Sequence, residues 1–138
     1  MAYTDLAVLQ IAQILQNDGV GTFGTDIFIS KEPESPDNTI TIYKTGGLPD
    51  NTLKVGNYTQ EIHNFQVRVR NNNYQSAHTT MNSVRLSIEK GIKTLTDSGG
   101  TDYLKIQMVS LPIDLIRDTT NRCIITANFT CMRYFLNS

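Results

Sequence analysis

Apolar side chains in "DLAVLQIAQILQ", residues 5–16, recur at Leu6, Leu9, Ala12 and Leu15, a spacing that lines one side of a helix. Thr4 stands ahead of the run as an N-cap, and Asn17-Asp18-Gly19 closes it with Gly19 as the left-handed cap. The pattern then changes to alternation. "DIFIS", Asp26 to Ser30, predicts a short strand. "NTITIYK", Asn38 to Lys44, predicts a second, with Ile40 and Ile42 on one face and Thr39, Thr41 and Tyr43 on the other. "IHNFQVRVR", Ile62 to Arg70, is the clearest strand. Phe65, Val67 and Val69 alternate with Gln66, Arg68 and Arg70, so one face packs and the other carries charge.

Helical spacing returns after Asn71–Asn73. Tyr74, Ala77, Met81, Val84 and Ile88 form the core stripe of an amphipathic helix from Tyr74 to Lys90, ended by Gly91 and the loop "DSGGTD". "YLKIQMVS" then sets Leu104, Ile106 and Met108 on one strand face. Pro112 interrupts, "IDLIRD" continues, and "TTN" predicts a turn into the last strand, "CIITANFTCMRYF". The order of one helix, three strands, one helix and three strands predicts an α+β fold. It is a mostly antiparallel twisted sheet with two main helices packed on one face. The 138 residues make one domain, 1–138, long enough to bury about two-thirds of its unfolded surface.

One region resists this reading. "KEPESPDNTITIYKTGGLPD", Lys31 to Asp50, is an acidic, proline-broken loop, then a strand, then Gly46-Gly47 and another proline. The stretch Asn51 to Glu61 shows no period. Two irregular arms therefore flank a single short strand.

Composition narrows the function classes. The net charge is -1 with no long basic run, which gives no support to sequence-independent nucleic-acid binding. No apolar stretch approaches the ~20 residues of a membrane span. "MAYTDLAVLQ" lacks a basic segment before its apolar residues, so no signal peptide is expected and a cytoplasmic start is. Cys123 and Cys131 share one predicted strand and are separated by roughly 26 Å at strand rise, far beyond disulfide reach. Both are expected to be buried free thiols on the face of Ile125, Ala127 and Phe129.

No motif demands catalysis. "GVGTFG", Gly19 to Gly24, matches G-x-G-x-x-G literally, but a helix precedes it and a strand follows. That is the reverse of the dinucleotide-binding order, and a helix cap plus a turn accounts for it. His63 and His78 fall on different elements without a partner at metal-ligand spacing; His63 is placed on the polar side of its strand and His78 on the helix surface. Neither cysteine sits at a helix N-terminus or beside an evident base. Glu32, Glu34 and Asp37 cluster in the proline-rich loop at no calcium-loop spacing and read as a solvated face. No catalytic, cofactor or metal site is expected. Arg68 and Arg70 leave three readings open: a solvent-facing sheet, an inter-subunit charge contact, or phosphate contact.

"SPDNTITIYKTGGLP", Ser35 to Pro49, resembles a signature segment of phage minor capsid proteins of the tail-terminator type. "FQVRVRNNNYQSA", Phe65 to Ala77, is similar to that family's second signature, and "ILQNDGVGTFGTDIFIS" to its opening. The three segments occur in the family's order and cover Ile14 to about Ala77. Lys44 stands where the resemblance calls for an acidic residue.

The resemblance implies a structural virion protein that forms a homohexameric ring at the head-proximal end of a tail tube. Such a ring ends tube polymerisation and offers a docking surface to the head connector or neck protein. DNA passes through its lumen without specific binding, and no membrane is involved. It implies a place in the virion, with assembly in the host cytoplasm. The expected interface residues are Lys31, Glu32, Glu34 and Asp37 in the loop, Thr45, Gly46, Gly47, Leu48, Asp50, Lys54 and Tyr58 in the arm Thr45–Glu61, and Arg68 and Arg70 for neighbour pairing. The arms then supply contact area, with Gly46-Gly47 as a hinge or tight turn. The competing readings are a head-completion or neck protein between portal and tail, a small ligand-binding or enzymatic domain, and a DNA-binding regulator.

Overall fold

The structure is a computed structural model that describes residues 7–45, 52–55, 58–90, 93–95, 101–115, 117–118 and 120–136. Its elements are α1 (Ala7–Asn17), β1 (Ile27–Ile29), β2 (Thr39–Lys44), β3 (Thr52–Val55), β4 (Tyr58–Asn71), α2 (Tyr74–Glu89), β5 (Lys93–Leu95), β6 (Thr101–Met108), β7 (Ile113–Leu115) and β8 (Cys123–Leu136).

Two 14-residue strands form the spine. β4 and β8 pair antiparallel over their whole length, from Tyr58 opposite Leu136 to Asn71 opposite Cys123. Each outer edge of this ribbon is shared by two shorter strands. On the β4 side, β2 pairs with residues 65–70 and β3 with residues 58–61. On the β8 side, β6 pairs with residues 129–135 and β7 with residues 124–126. β1 adds parallel to β2, and β5 antiparallel to β6.

The register sets Phe65, Val67 and Val69 opposite Phe129, Ala127 and Ile125, so one face of the ribbon is continuously apolar. The Phe65 and Phe129 rings stack 5.3 Å apart. Both helices cover this face, as the sequence pattern predicts. The two cysteines lie in it as buried free thiols. α2 starts at its N-cap Asn73, whose side chain accepts the Ser76 N–H at 2.9 Å. It buries Ala77, Met81, Val84 and Ile88.

Several expectations need correction. The buried stripe of α1 is Val8, Ile11, Ala12 and Leu15 rather than Leu6, Leu9, Ala12 and Leu15. Spacings of three, four and seven give a wider face than strict threes, and Ile14 and Gln10 are buried with it. Thr4 and Leu6 lie outside the described residues. Tyr74 is half-exposed at the first turn of α2, not in the core. In β6 the register shifts between Tyr103 and Lys105, so Leu104 is the bulged residue and the alternation it was assigned to is broken there.

The arm after Asn51 is not irregular. β3 and the start of β4 form a hairpin, so β4 begins at Tyr58 rather than Ile62. Alternation cannot reveal this part of the strand, because the sequence T-Q-E-I-H-N before Phe65 has polar residues at both odd and even positions, with Ile62 the one apolar residue.

Candidate assembly surface

The face of the sheet away from the helices is also partly buried. Thr39, Thr41, Arg70, Ile124 and Thr126 are all under 9% exposed. The loop between β1 and β2, residues 30–38, lies over them as a strap. It begins at Ser30, in the left-handed region at φ 66°, and contains a cis Ser35–Pro36 bond.

Arginine holds this strap, because one guanidinium offers five donors in a planar fork. Arg70 Nε donates to the Asp37 carbonyl at 3.2 Å. Its Nη2 donates to the carbonyls of Pro36 at 2.7 Å and Glu34 at 3.4 Å. Its Nη1 lies 3.3 Å from Glu32 Oε1, and Arg68 Nε lies 3.1 Å from Glu32 Oε2. From the other side, Arg122 Nη1 donates to the Glu34 carbonyl at 2.7 Å and to Asp37 Oδ1 at 3.3 Å, while its Nε donates to Asp118 Oδ2 at 2.8 Å. Arg122 sits just before β8, whose Ile124 pairs with Arg70, so the register brings both guanidiniums to one place.

Asp118 anchors Arg122 through a turn. Its Oδ1 accepts the N–H groups of Thr120 at 3.1 Å and Arg122 at 2.8 Å, and Asn121 takes φ 66°. Burial alone would raise the Asp118 carboxyl. These hydrogen bonds and the Arg122 charge outweigh it and hold the group down at about 2. Tyr43 is pushed up, first by burial and then by the charge of Glu32.

The expected solvated acidic face is therefore a pinned strap. Glu32 turns inward, 13% exposed on Arg68 and Arg70, whereas the Glu34 side chain is 97% exposed and Lys31 also faces solvent. Arg70, 3% exposed and bonded within its own chain, is not a surface charge. Arg68 stays partly exposed.

A second ionic cluster lies on the helix side of the sheet. Glu61 Oε1 accepts from Arg133 Nε at 2.9 Å and meets Arg133 Nη2 at 2.8 Å and His63 Nε2 at 2.9 Å. Arg133 Nη1 also donates to Gln10 Oε1 of α1 at 3.2 Å. Burial would raise the Glu61 carboxyl, but the His63 and Arg133 bonds leave it lowered. A deletion of the whole arm Thr45–Glu61 would strip Arg133 of this partner and shorten β4, whereas β3, Thr52–Val55, lies ahead of both.

One flank of α2 is tied to β7 and to the end of β6. Asp114 accepts the Tyr74 hydroxyl at 2.5 Å and lies 3.1 Å from His78 Nε2. The Tyr74 hydroxyl is raised first by that bond. At the far end of the helix, Glu89 Oε2 accepts the Met108 N–H at 2.8 Å.

The G-x-G-x-x-G segment is a turn. Asp26 Oδ1 takes the Thr22 N–H at 2.6 Å and Gln16 Oε1 takes the Phe23 N–H at 2.8 Å, so a carboxylate already occupies the place an anion would need. No cluster of three metal-ligating side chains occurs among the described residues, and no helix there is long and apolar enough to cross a membrane.

Of the expected interface residues, Lys31, Glu32, Glu34, Asp37, Arg68 and Arg70 come together at the strap. Thr45 N donates to the Asn64 carbonyl at 3.1 Å at the end of β2. Lys54 and Tyr58 sit in the β3–β4 hairpin, opposite Thr59 and Val55. Gly46, Gly47, Leu48 and Asp50 lie outside the described residues. Sequence reasoning missed Arg122, Asp118 and the Glu61–Arg133 pair. The spacing D-T-T-N-R, an Asx turn closing on an arginine four residues later, was the available signal for the first two.

This two-layer arrangement has a counterpart among solved structures. A chain of a solved structure titled "Virion of native gene transfer agent (GTA) particle" superposes with a TM-score of 0.64 at 12% identity, covering 94% of this chain and 99% of that one. At that identity the likeness shows the fold. No curated protein matches by sequence. The profile described as bacteriophage tail terminator protein matches residues 14–135, nearly the whole chain, and the protein belongs to that family. Its role is therefore structural, in a phage tail and as part of the virion.

Proposed function

We propose that the chain forms a closed homohexameric ring on the last ring of the tail tube, ends tube polymerisation there, and presents its other side to the head connector. The family match over residues 14–135 carries this reading. The geometry supports it in one way: a clasp of buried arginines, Arg70 and Arg122, holds one loop in place. A held loop enters a contact with its ordering cost already met, which favours association.

In this reading Glu32, Arg70 and Arg122 position the strap, while Lys31 and Glu34 on its outer side and the β3 hairpin beyond Thr45 meet partners. DNA crosses the lumen without specific contact, which suits a chain of net charge -1. Assembly takes place in the host cytoplasm and involves no turnover.

Electron microscopy of particles made without this protein tests the proposal. Overlong, headless tails beside filled heads are the expected result. Tails of normal length that fail to join heads would move the protein to the neck. Intact, infectious particles would overturn the structural reading and reopen an enzymatic one.

A further inference from the structure

Beneath the strap, four buried polar atoms have no hydrogen-bond partner in the protein: Thr39 Oγ1, Thr41 Oγ1, Arg68 Nε and Glu32 Oε2. They belong to one place. Thr39 stands opposite Arg70 and Thr41 opposite Arg68 across the β2–β4 pair, so both threonines share the face of the two arginines, away from the helices. Thr39 is 2% exposed and Thr41 is fully buried. Arg68 Nε and Glu32 Oε2 lie 3.1 Å apart, near enough to attract as charges, but the N–H is not aimed at the carboxylate oxygen.

A polar group taken out of water and left unpaired costs more than its hydrogen bond would have contributed. Nearly all such groups in folded proteins are paired, with protein or with ordered water. Four of them on one face call for a common partner. Direct closure is blocked, because Arg70 and Arg122 fix the carbonyls of Glu34, Pro36 and Asp37 and so set where the strap rests.

The four atoms define what fits among them. Arg68 Nε only donates, ionised Glu32 only accepts, and each threonine hydroxyl does both. An anion would meet the Glu32 carboxylate, and a cation would meet two guanidiniums. A small neutral molecule that both donates and accepts meets neither obstacle, and water is that molecule. The threonines are two residues apart on one strand, about 6.6 Å. A water reaches about 2.8 Å to each neighbour, so two waters are needed to serve both hydroxyls.

We infer that ordered water is bound under the strap, bridging the Thr39 and Thr41 hydroxyls of β2 to Arg68 and Glu32. The strap is then held differently along its length. Direct arginine bonds to main-chain carbonyls hold residues 34–37, while Glu32 is seated partly through water. Bridging water gives way to any polar group that reproduces its hydrogen bonds. The Glu32 end is therefore the part of the strap that can be re-seated without breaking the clasp. The inference concerns the single chain and stands or falls independently of the ring.

Urea titration of Thr39→Val and Thr41→Val tests it, since valine keeps the shape of threonine and removes the hydroxyl. If each hydroxyl bonds water, each substitution should lower the folding equilibrium constant roughly five-fold. Thr41→Ser, which retains the hydroxyl, should recover most of that loss. A dry, unpaired hydroxyl predicts the opposite sign, because replacing it with a methyl group is neutral or stabilising. Valine variants as stable as the unmodified chain, or more so, would overturn the inference. A high-resolution crystal structure of the unmodified chain supplies the second arm. Water within about 3.2 Å of Thr41 Oγ1, and of Arg68 or Glu32, is the expected result. Threonine hydroxyls turned onto protein acceptors, with no water beneath the strap, would overturn the inference even if the valine variants were destabilised.

Discussion

Arg70→Ala should release the strap while leaving the sheet in place. Arg70 is 3% exposed and supplies the donors to the Glu34, Pro36 and Asp37 carbonyls as well as a charge beside Glu32. Removing one member of a buried ion pair costs about 3–5 kcal/mol, since its partner is left buried without compensation. Here Arg68 still faces Glu32 at 3.1 Å and Arg122 still binds the Glu34 carbonyl, so the lower end, about 3 kcal/mol, is the better figure. At 1.4 kcal/mol per factor of ten, the open form of the strap should become roughly a hundred-fold more populated. Lys31 is exposed within the strap and provides the assay. Trypsin should cut after Lys31 roughly a hundred-fold faster in the variant, in the regime where cleavage follows the open population. Cuts in the paired strands should change much less. Arg70→Lys keeps the charge but lacks the planar fork and should lie between the two. An unchanged rate at Lys31, or one raised only in step with global unfolding, would refute the clasp.

Glu61→Ala leaves Arg133 buried without its carboxylate and should destabilise the fold by about 3–5 kcal/mol in urea titrations; Glu61→Gln retains an acceptor and should cost less. Because the folded Glu61 carboxyl is lowered, its contribution is present above the unfolded value and is lost as pH falls through the folded one, so the gap between wild type and Glu61→Gln should narrow in acid. Asp118, held at about 2 against an ordinary 3.8, should titrate by NMR near that value, and its stabilisation should fade as pH drops from about 4 to about 2. Burial pushes the Cys131 thiol up to about 12, so the native protein at pH 8 should not react there with a disulfide reagent, whereas the urea-unfolded chain should react at once.

Much of this was legible without coordinates. Burial against a single core is periodic, so residues two apart in Phe65–Val69 or three and four apart in Ala77–Ile88 disclose their element and inward face by themselves. The α+β class, the two helices on one face and the two free cysteines follow from that local rule. The family was readable as well, because its signature segments are contiguous runs.

The tertiary structure decided what distant residues do to one another. Arg70 reads as a surface charge on an alternating strand until the β1–β2 loop is laid over it, 33 to 36 residues away in the chain. Glu61 and Arg133, 72 residues apart, become a buried pair only through the β4–β8 register, which sets them directly opposite each other. A polar side chain carries no periodic mark of being paired. Its partner is chosen by register and by how the chain crosses the sheet, and those are properties of the assembled fold.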